Sequence, residues 1–311
     1  MKQKKFLKTA TPYMFIMPWI IGFLVFTIGP LILSLIMSFF DWPITSAPVF
    51  RGFGNYVEMF TSYKQFWKSL VISLKYAAIF VPLNMIIALF LAMLITQPVR
   101  GVKVFRTIFY IPAVISGVAV SIIWGWILNG DYGVLNYLLS LIGIEGPKWL
   151  VDPAWALLAV IIASAFGVGT MMLIFYTDIK NIPIDVYEAA SIDGAGPARK
   201  FFSITLPIIT PTILFNLITS IISSFQQVTL VMLLTGGGPL KSTYFYGLYT
   251  YNNAFKHHKL GYASANAWVM FIIILILTAL VFKSSSAWVF YETEARNGGA
   301  KKSKKKKGGK K

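Results

Sequence analysis

The sequence predicts an all-α integral membrane protein with six transmembrane helices, and two observations predict it. Hydrophobic residues make up 57% of the 311-residue chain and charged residues only 13%, against about 25% charged in a soluble domain. The charged residues also leave six uninterrupted windows, at 9–40, 76–99, 107–130, 153–177, 201–240 and 260–282. Each is long enough for the roughly 20 apolar residues that span a bilayer. Only helices and closed barrels satisfy the backbone in hydrocarbon. Barrel strands would alternate in polarity over about ten residues, and these windows are continuous.

The first helix is expected to begin near Thr11-Pro12-Tyr13 and to run to Phe39-Phe40, with a kink at Gly29-Pro30. Its apolar run exceeds the roughly 7–15 residues of a cleavable signal, so it reads as a retained signal anchor. Residues 41–68 form an external segment. There Phe53, Tyr56, Phe60, Phe66 and Trp67 suit a helix at the headgroup level, or a plain loop with buried aromatics. The second and third helices carry Pro82, Asn84 and Pro112 and are joined by a short basic connector, 97–106. A second external segment, 129–152, holds Trp149 near its end. The fourth helix ends near Tyr176, and the fifth is read as one helix over residues 208–234. The external segment 235–262 contains Gly236-Gly237-Gly238-Pro239, and the sixth helix runs from Ala263 to Phe282. The Lys-rich end, 301–311, cannot pack a core and is expected to stay disordered. The chain thus divides into an N-terminus (1–10), a first helix with its external segment (11–69), a five-helix core (70–290) and a tail (291–311).

The net charge of +17 reads as topology, not as nucleic-acid binding. Six spans place both termini on one side. That side would hold Lys2, Lys4, Lys5 and Lys8, then Arg100, Lys103 and Arg106, then Lys180, Arg199 and Lys200, and the ten basic residues from Lys283 on, which is 20 of the 28. Basic residues collect in the cytoplasm, so both termini are expected inside. With no cysteine, disulfides, thiolate metal sites and Cys nucleophiles are excluded.

Between the fourth and fifth windows lies a polar connector, 178–211. Pro183 can open a short helix with Asp185 in its first turn, facing the positive end of the helix dipole. Residues 185–193 give about two and a half turns. Gly194 can then end the helix in a left-handed cap, and Pro197 can restart a second helix toward Leu206-Pro207. Ala189 and Ala190 keep the surface slim enough to enter a partner's groove, where Glu188 and Asp193 are the charges that could pair. The other reading is an interfacial amphipathic connector with no partner.

The run from Glu188 to Pro211 resembles the EAA loop of binding-protein-dependent ABC transporter permeases. That pattern is Glu-Ala-Ala, two residues, Asp-Gly-Ala, then Phe, Ile, Leu-Pro and Pro. Glu188, Ala189, Ala190, Asp193, Gly194, Ala195, Phe201, Ile204, Leu206, Pro207 and Pro211 fit it. Thr11-Pro12-Tyr13, Phe53-Gly54-Asn55-Tyr56, Leu234-Thr235-Gly236-Gly237-Gly238-Pro239, Ala254-Phe255 and Gly261-Tyr262-Ala263-Ser264-Ala265 are similar to the maltose system's larger-subunit class. The resemblance covers nearly the whole chain. The chain departs from the maltose subunit in lacking its extra N-terminal helices and large external domain, and so resembles the compact six-helix members.

The resemblance implies a type I importer permease bundle (MetI-like) in a bacterial plasma membrane. Glu188, Ala189, Ala190, Asp193, Gly194 and Ala195 would form a coupling helix seated in a cytoplasmic ABC ATPase. Two ATPase copies would hydrolyse ATP, so this chain would be non-catalytic, without cofactor or metal. A second permease would complete an alternating-access pathway, and an extracytoplasmic solute-binding protein would deliver the solute.

Polar groups inside a membrane helix are functional candidates. Ser220, Ser223, Ser224 and Gln227 fall at i, i+3, i+4 and i+7 of the fifth window, one helical face. Their uncharged donors and acceptors suit a neutral sugar. The fourth window offers space at Gly167 and Gly169, with Thr170 beside it and Phe166 as a ring for sugar stacking. Small and polar residues also pack membrane helices together, which is the competing reading. Other solutes, such as a glycerol phosphate, would want basic residues that these faces lack. An ion-coupled secondary transporter would want buried ionisable groups, and Lys75 stands only at a helix edge. Gly236 to Thr243 is no phosphate-binding loop, since Leu240 stands where glycine must precede Lys241. His257-His258 has no carboxylate at metal-ligand spacing.

Overall fold

The structure, a computed structural model, describes residues 2–43, 45–97 and 100–290. The Lys-rich end lies outside these residues. The chain divides into two compact units, one of Met1–Lys68 with Tyr249–Ile272, the other of Ser69–Leu248 with Ile273–Lys311.

The first unit opens with α1 (Lys2–Phe23), which starts well before Thr11 and passes through a π turn, Leu24–Ile28, into α2 (Gly29–Met37). The π turn answers the expected kink. Pro30 has no N–H to give and its ring crowds the carbonyl four residues back. Widening the preceding turn, with the Gly29 N–H reaching the Leu24 carbonyl, makes room for that ring, and Tyr13–Met37 remains one apolar span. A two-stranded hairpin follows, β1 (Phe40–Asp41) antiparallel to β2 (Val49–Phe50). The aromatic-rich segment after the hairpin then forms a helix, α3 (Gly54–Thr61). Buried Asn55 fixes it to the preceding chain end, donating from Nδ2 to the carbonyls of Ser38 (2.8 Å) and Phe40 (2.9 Å). Phe66 is fully buried and meets Phe60 edge-on. The π turn Asn252–Lys256 leads to α16 (Leu260–Ser285), whose first N–H bonds the Trp42 carbonyl.

The second unit carries most of α4 (Lys64–Thr96), α5 (Val102–Val114), α6 (Gly117–Ile127), α7 (Val134–Leu141), α8 (Ala156–Ala165) and α9 (Gly169–Asn181). After the connector come α13 (Thr210–Phe225), α14 (Thr229–Leu234) and the start of α15 (Tyr246–Tyr251). Among the described residues three helices are long and apolar enough to cross a membrane, and three bent helix pairs would each be so if taken as one span. The third window is no straight helix. It turns by 103° between α5 and α6, where Ser116 leaves helical geometry and caps α6 by accepting from the Val118 N–H. The fourth bends by 48° between α8 and α9. The fifth ends at Phe225 rather than at Leu234, with Gln226 as its cap, and α14 is a separate segment.

Apolar clusters hold this unit, two of them large. One gathers Tyr76, Phe80, Val160, Ile161, Leu230, Val231, Phe245 and Leu248. The other, nearer the connector, gathers Ala88, Ala92, Val168, Met172, Phe175, Ile179 and Ile209. Gly169 sits in close approach, since a Cβ there would strike the backbone at Phe109 and Tyr110. The segment 129–152 folds onto Trp149, whose indole N–H donates to Asn136 Oδ1 at 2.7 Å.

Candidate functional site

Two features collect the residues singled out in the sequence: the connector and a cavity between α4, α8, α9 and α13.

The connector forms α10 (Ile184–Ile192) with Pro183 as its N-cap and Asp185 in its first turn. Its end is closed by paired bonds. The Ala195 N–H bonds the Ala190 carbonyl at 2.9 Å, and the Gly194 N–H bonds the Ser191 carbonyl at 3.1 Å. This is the Schellman arrangement, and it needs Gly194 in the left-handed region, where φ is +73°. Pro197 restarts the chain as α11 (Pro197–Lys200), followed by a π turn, Phe201–Thr205, and α12 (Leu206–Ile208). That π turn again stands just before a proline, Pro207.

Glu188, Ala189, Asp193 and Gly194 are exposed, and Ala190 and Ala195 are half-buried. Around them lie large apolar side chains facing outward: Ile192 at 88% exposure, Ile184 at 68% and Phe202 at 64%. Two contacts fix α10 to the chain that follows. The Tyr187 hydroxyl pairs with Thr205 Oγ1 at 2.8 Å, and Lys200 Nζ donates to Ser191 Oγ at 2.6 Å. Neither pair was legible in the sequence, because each joins residues whose facing depends on the turn between two helices.

The cavity, of about 470 Å³, is lined by Gly167, Thr170, Ser220, Ser223, Ser224 and Gln227. These residues from two windows therefore meet in one place. Phe166 does not line it; this residue caps α8, and its ring meets Trp124 edge-on at 5.7 Å. Gln227 lies past the end of α13, so it joins the serines through the chain's turn rather than along one helical face.

The structure adds Tyr76, Asn84, Ser164 and Asn216 to the lining. Tyr76 donates to Ser164 Oγ at 2.9 Å and also interacts with Gln227. The Ser223 and Ser224 hydroxyls donate back to carbonyls of their own helix. Their lone pairs are thus left as acceptors toward the cavity. Asn84 Oδ1 and Asn216 Nδ2 are buried without a protein partner. A buried amide in that state costs about 1–3 kcal/mol, so the cavity is built to receive hydrogen bonds. It offers hydroxyl and amide groups and no charged side chain. Asn84 and Asn216 were findable, since an amide at membrane depth is a candidate by position alone.

Among the described residues no group of His, Asp and Glu could hold a metal ion. The loop after α14 is tied by hydroxyls, with Thr235 and Thr243 paired at 2.7 Å and Thr243 donating to the Gly238 carbonyl at 2.7 Å.

Residues 84–290 match the family model described as "Binding-protein-dependent transport system inner membrane component". The chain is 44% identical over 286 residues to the "Probable ABC transporter permease protein YesP" of Bacillus subtilis (strain 168), covering 91% of this chain and 92% of that one. It is 34% identical to the sulfoquinovosyl glycerol transport system permease protein of Agrobacterium fabrum, over 79% of this chain and 80% of that one. It is 30% identical to the trehalose/maltose transport system permease protein of Thermococcus litoralis, over 90% and 95%. Among solved structures it resembles a chain from a bacterial alginate ABC transporter in complex with alginate pentasaccharide-bound periplasmic protein. The TM-score is 0.79 at 25% identity, over 90% of this chain and 96% of that one.

Proposed function

The chain belongs to the family of binding-protein-dependent transport system inner membrane components, and from that premise we infer that it is the membrane subunit of an ATP-driven importer of a neutral sugar or oligosaccharide. It is a multi-pass permease and not an enzyme. Hydrolysis takes place on separate ATPase subunits, two copies of which would seat the two coupling helices of a permease pair. A second permease completes the pathway, and an extracytoplasmic binding protein delivers the solute. The solved relative with its periplasmic protein supports that last partner. The relative named for trehalose/maltose transport supports the solute class. So does a cavity whose lining carries no charged side chain, which disfavours a glycerol phosphate. Gly167, Thr170, Ser220, Ser223, Ser224 and Gln227 are the proposed solute contacts, with Phe166 set aside against Trp124.

The observation that carries the reading is α10 itself. A helix with no buried residue, capped tightly and ringed by outward Ile184, Ile192 and Phe202, has little reason to stand in water. It has every reason to stand in a partner's groove. Glu188 and Asp193 would set its orientation there.

The test is the purified complex with its ATPase. Gly194→Val forces an L-residue into the left-handed region, at a cost of about 1–2 kcal/mol, and opens the cap. Gly194→Asn tolerates that conformation. The expected result is that the Val variant loses ATPase copurification or coupled transport and the Asn variant keeps both. Normal transport by Gly194→Val would show that the connector is only a loop.

A further inference from the structure

A second groove, of about 450 Å³, lies next to the cavity and shares Thr170 and Ile174 with it. Its polar lining is Tyr110, Thr170, Thr177, Asp178, Asn181 and Thr212. On α9, Thr170, Thr177, Asp178 and Asn181 fall at i, i+7, i+8 and i+11, one helical face. On α13, Thr212, Asn216, Thr219, Ser220 and Ser223 fall at i, i+4, i+7, i+8 and i+11, again one face. The two faces are tied by Thr212 Oγ1 donating to Asp178 Oδ2 at 2.6 Å. A polar track therefore runs along both helices, from the serines to the ends that join the connector.

Among the described residues, Asp178 is the one charged side chain that lines the track. The nearby cations do not line it. Lys180 and Lys200 line a different hollow beside α10, and the Arg106 guanidinium stacks on the Tyr176 ring at 4.1 Å. Asp178 makes one hydrogen bond among the described residues, to a neutral hydroxyl. Asp178 is half-exposed, so water or a passing solute can reach its carboxylate.

We propose that this groove continues the solute path from the cavity to the connector side, and that Asp178 makes it a filter that passes neutral polyhydroxylated solutes and rejects anions. The carboxylate can accept from sugar hydroxyls as they leave the serines, and it repels a phosphate or carboxylate at the same point. The proposal rests on the importer reading and adds the place where solute charge is sensed.

The absence of cysteine makes the test direct. Thr170→Cys and Thr177→Cys are each made in the intact complex, in inside-out membrane vesicles. Each is reacted with a cationic methanethiosulfonate (trimethylammonium-ethyl) and an anionic one (sulfonato-ethyl), with rates corrected for each reagent's rate on a free thiol. Ile276→Cys, on the outward apolar face of α16, is the unreactive control. Both path cysteines should react; at Thr177→Cys, beside Asp178, the cationic reagent should be about fivefold faster, whereas at Thr170→Cys, about 12 Å along the helix, the ratio should be near one. Asp178→Asn should bring the Thr177→Cys ratio to about one, and Asp178→Glu should keep it. An unreactive Thr170→Cys, or a Thr177→Cys ratio that survives Asp178→Asn, overturns the proposal. Failure to copurify with an ATPase would sink the importer reading without moving these ratios.

Discussion

Glu58 sits in a small charge cluster on the first unit, and its ionisation is held by opposing forces. Burial pushes its carboxyl up, but hydrogen bonds from Arg51 and Tyr63 and the charges of Arg51 and Lys259 outweigh this and leave it below the usual range. Lys259 moves the other way. Its hydrogen bond to Tyr63 raises it, burial opposes, and the charges of Tyr63, Glu58 and Asp41 add to the rise. The signs follow by linkage. The Glu58 contribution is in place above about pH 4.3 and is lost as pH falls through its depressed folded value; the Lys259 contribution is in place below about pH 10.4 and is lost as pH rises through its raised one. Thermal melting in detergent should therefore be flat across neutral pH. It should lose stability at both extremes, and Glu58→Gln should flatten the acid limb by about 1–2 °C. A slope through pH 6–8 would contradict this. At this scale the sequence told part of the story. The hydroxyls and amides of the cavity were visible as polar residues in apolar windows. Tyr76 and Ser164 were not, because their pairing spans 88 positions and depends on how two helices pack.

Single elements show where pattern reading stops. Charge-free windows found the spans but not their ends: α4 starts at Lys64, twelve residues before its window, since lysines near a helix end reach out to the headgroups along their own stems. Windows are also blind to bends, because apolarity does not change where a helix turns. The break after Val114 is signalled only by Ser116-Gly117, a cap that reads as one once the turn is seen. The two π turns ahead of Pro30 and Pro207 share one cause. A π turn is an α-helix with one extra residue, placed where the proline ring needs room. Deleting Ser203 should restore an α register and drive the Pro207 ring into the turn before it, costing about 3 kcal/mol. The same deletion with Pro207→Ala should recover much of the loss. Yield of monodisperse complex on size-exclusion chromatography reads both; equal yields would show that the π turn has another origin.

For the whole molecule, fold class was legible because membrane insertion imposes a coarse code of length, apolarity and charge, and family was legible in the run from Glu188 to Pro211. Orientation follows from the same coarse code. With 20 of 28 basic residues assigned to one side, green fluorescent protein fused after Phe290 should fluoresce, and alkaline phosphatase inserted at Ser140 should be active. The reverse pattern would invert the topology and remove the connector from ATP. One geometric feature then acquires a mechanical meaning. The run Pro197–Ile208 meets Thr210–Phe225 at 66°, and the residue at the corner, Ile209, is fully buried in the apolar cluster. Such a shape is a bell crank with its pivot buried in that cluster. Its short arm, about 18 Å, is fastened to α10 through Tyr187 and Lys200, and its long arm, about 24 Å, carries Ser220, Ser223 and Ser224. Turned as a rigid piece about Ile209, it would return a displacement at the far end of the short arm as a movement of about equal size at Ser220 and about one quarter larger at Ser224. Fuel and cargo would then be geared together by a single piece of chain, with the leverage written in the number of residues on either side of Ile209.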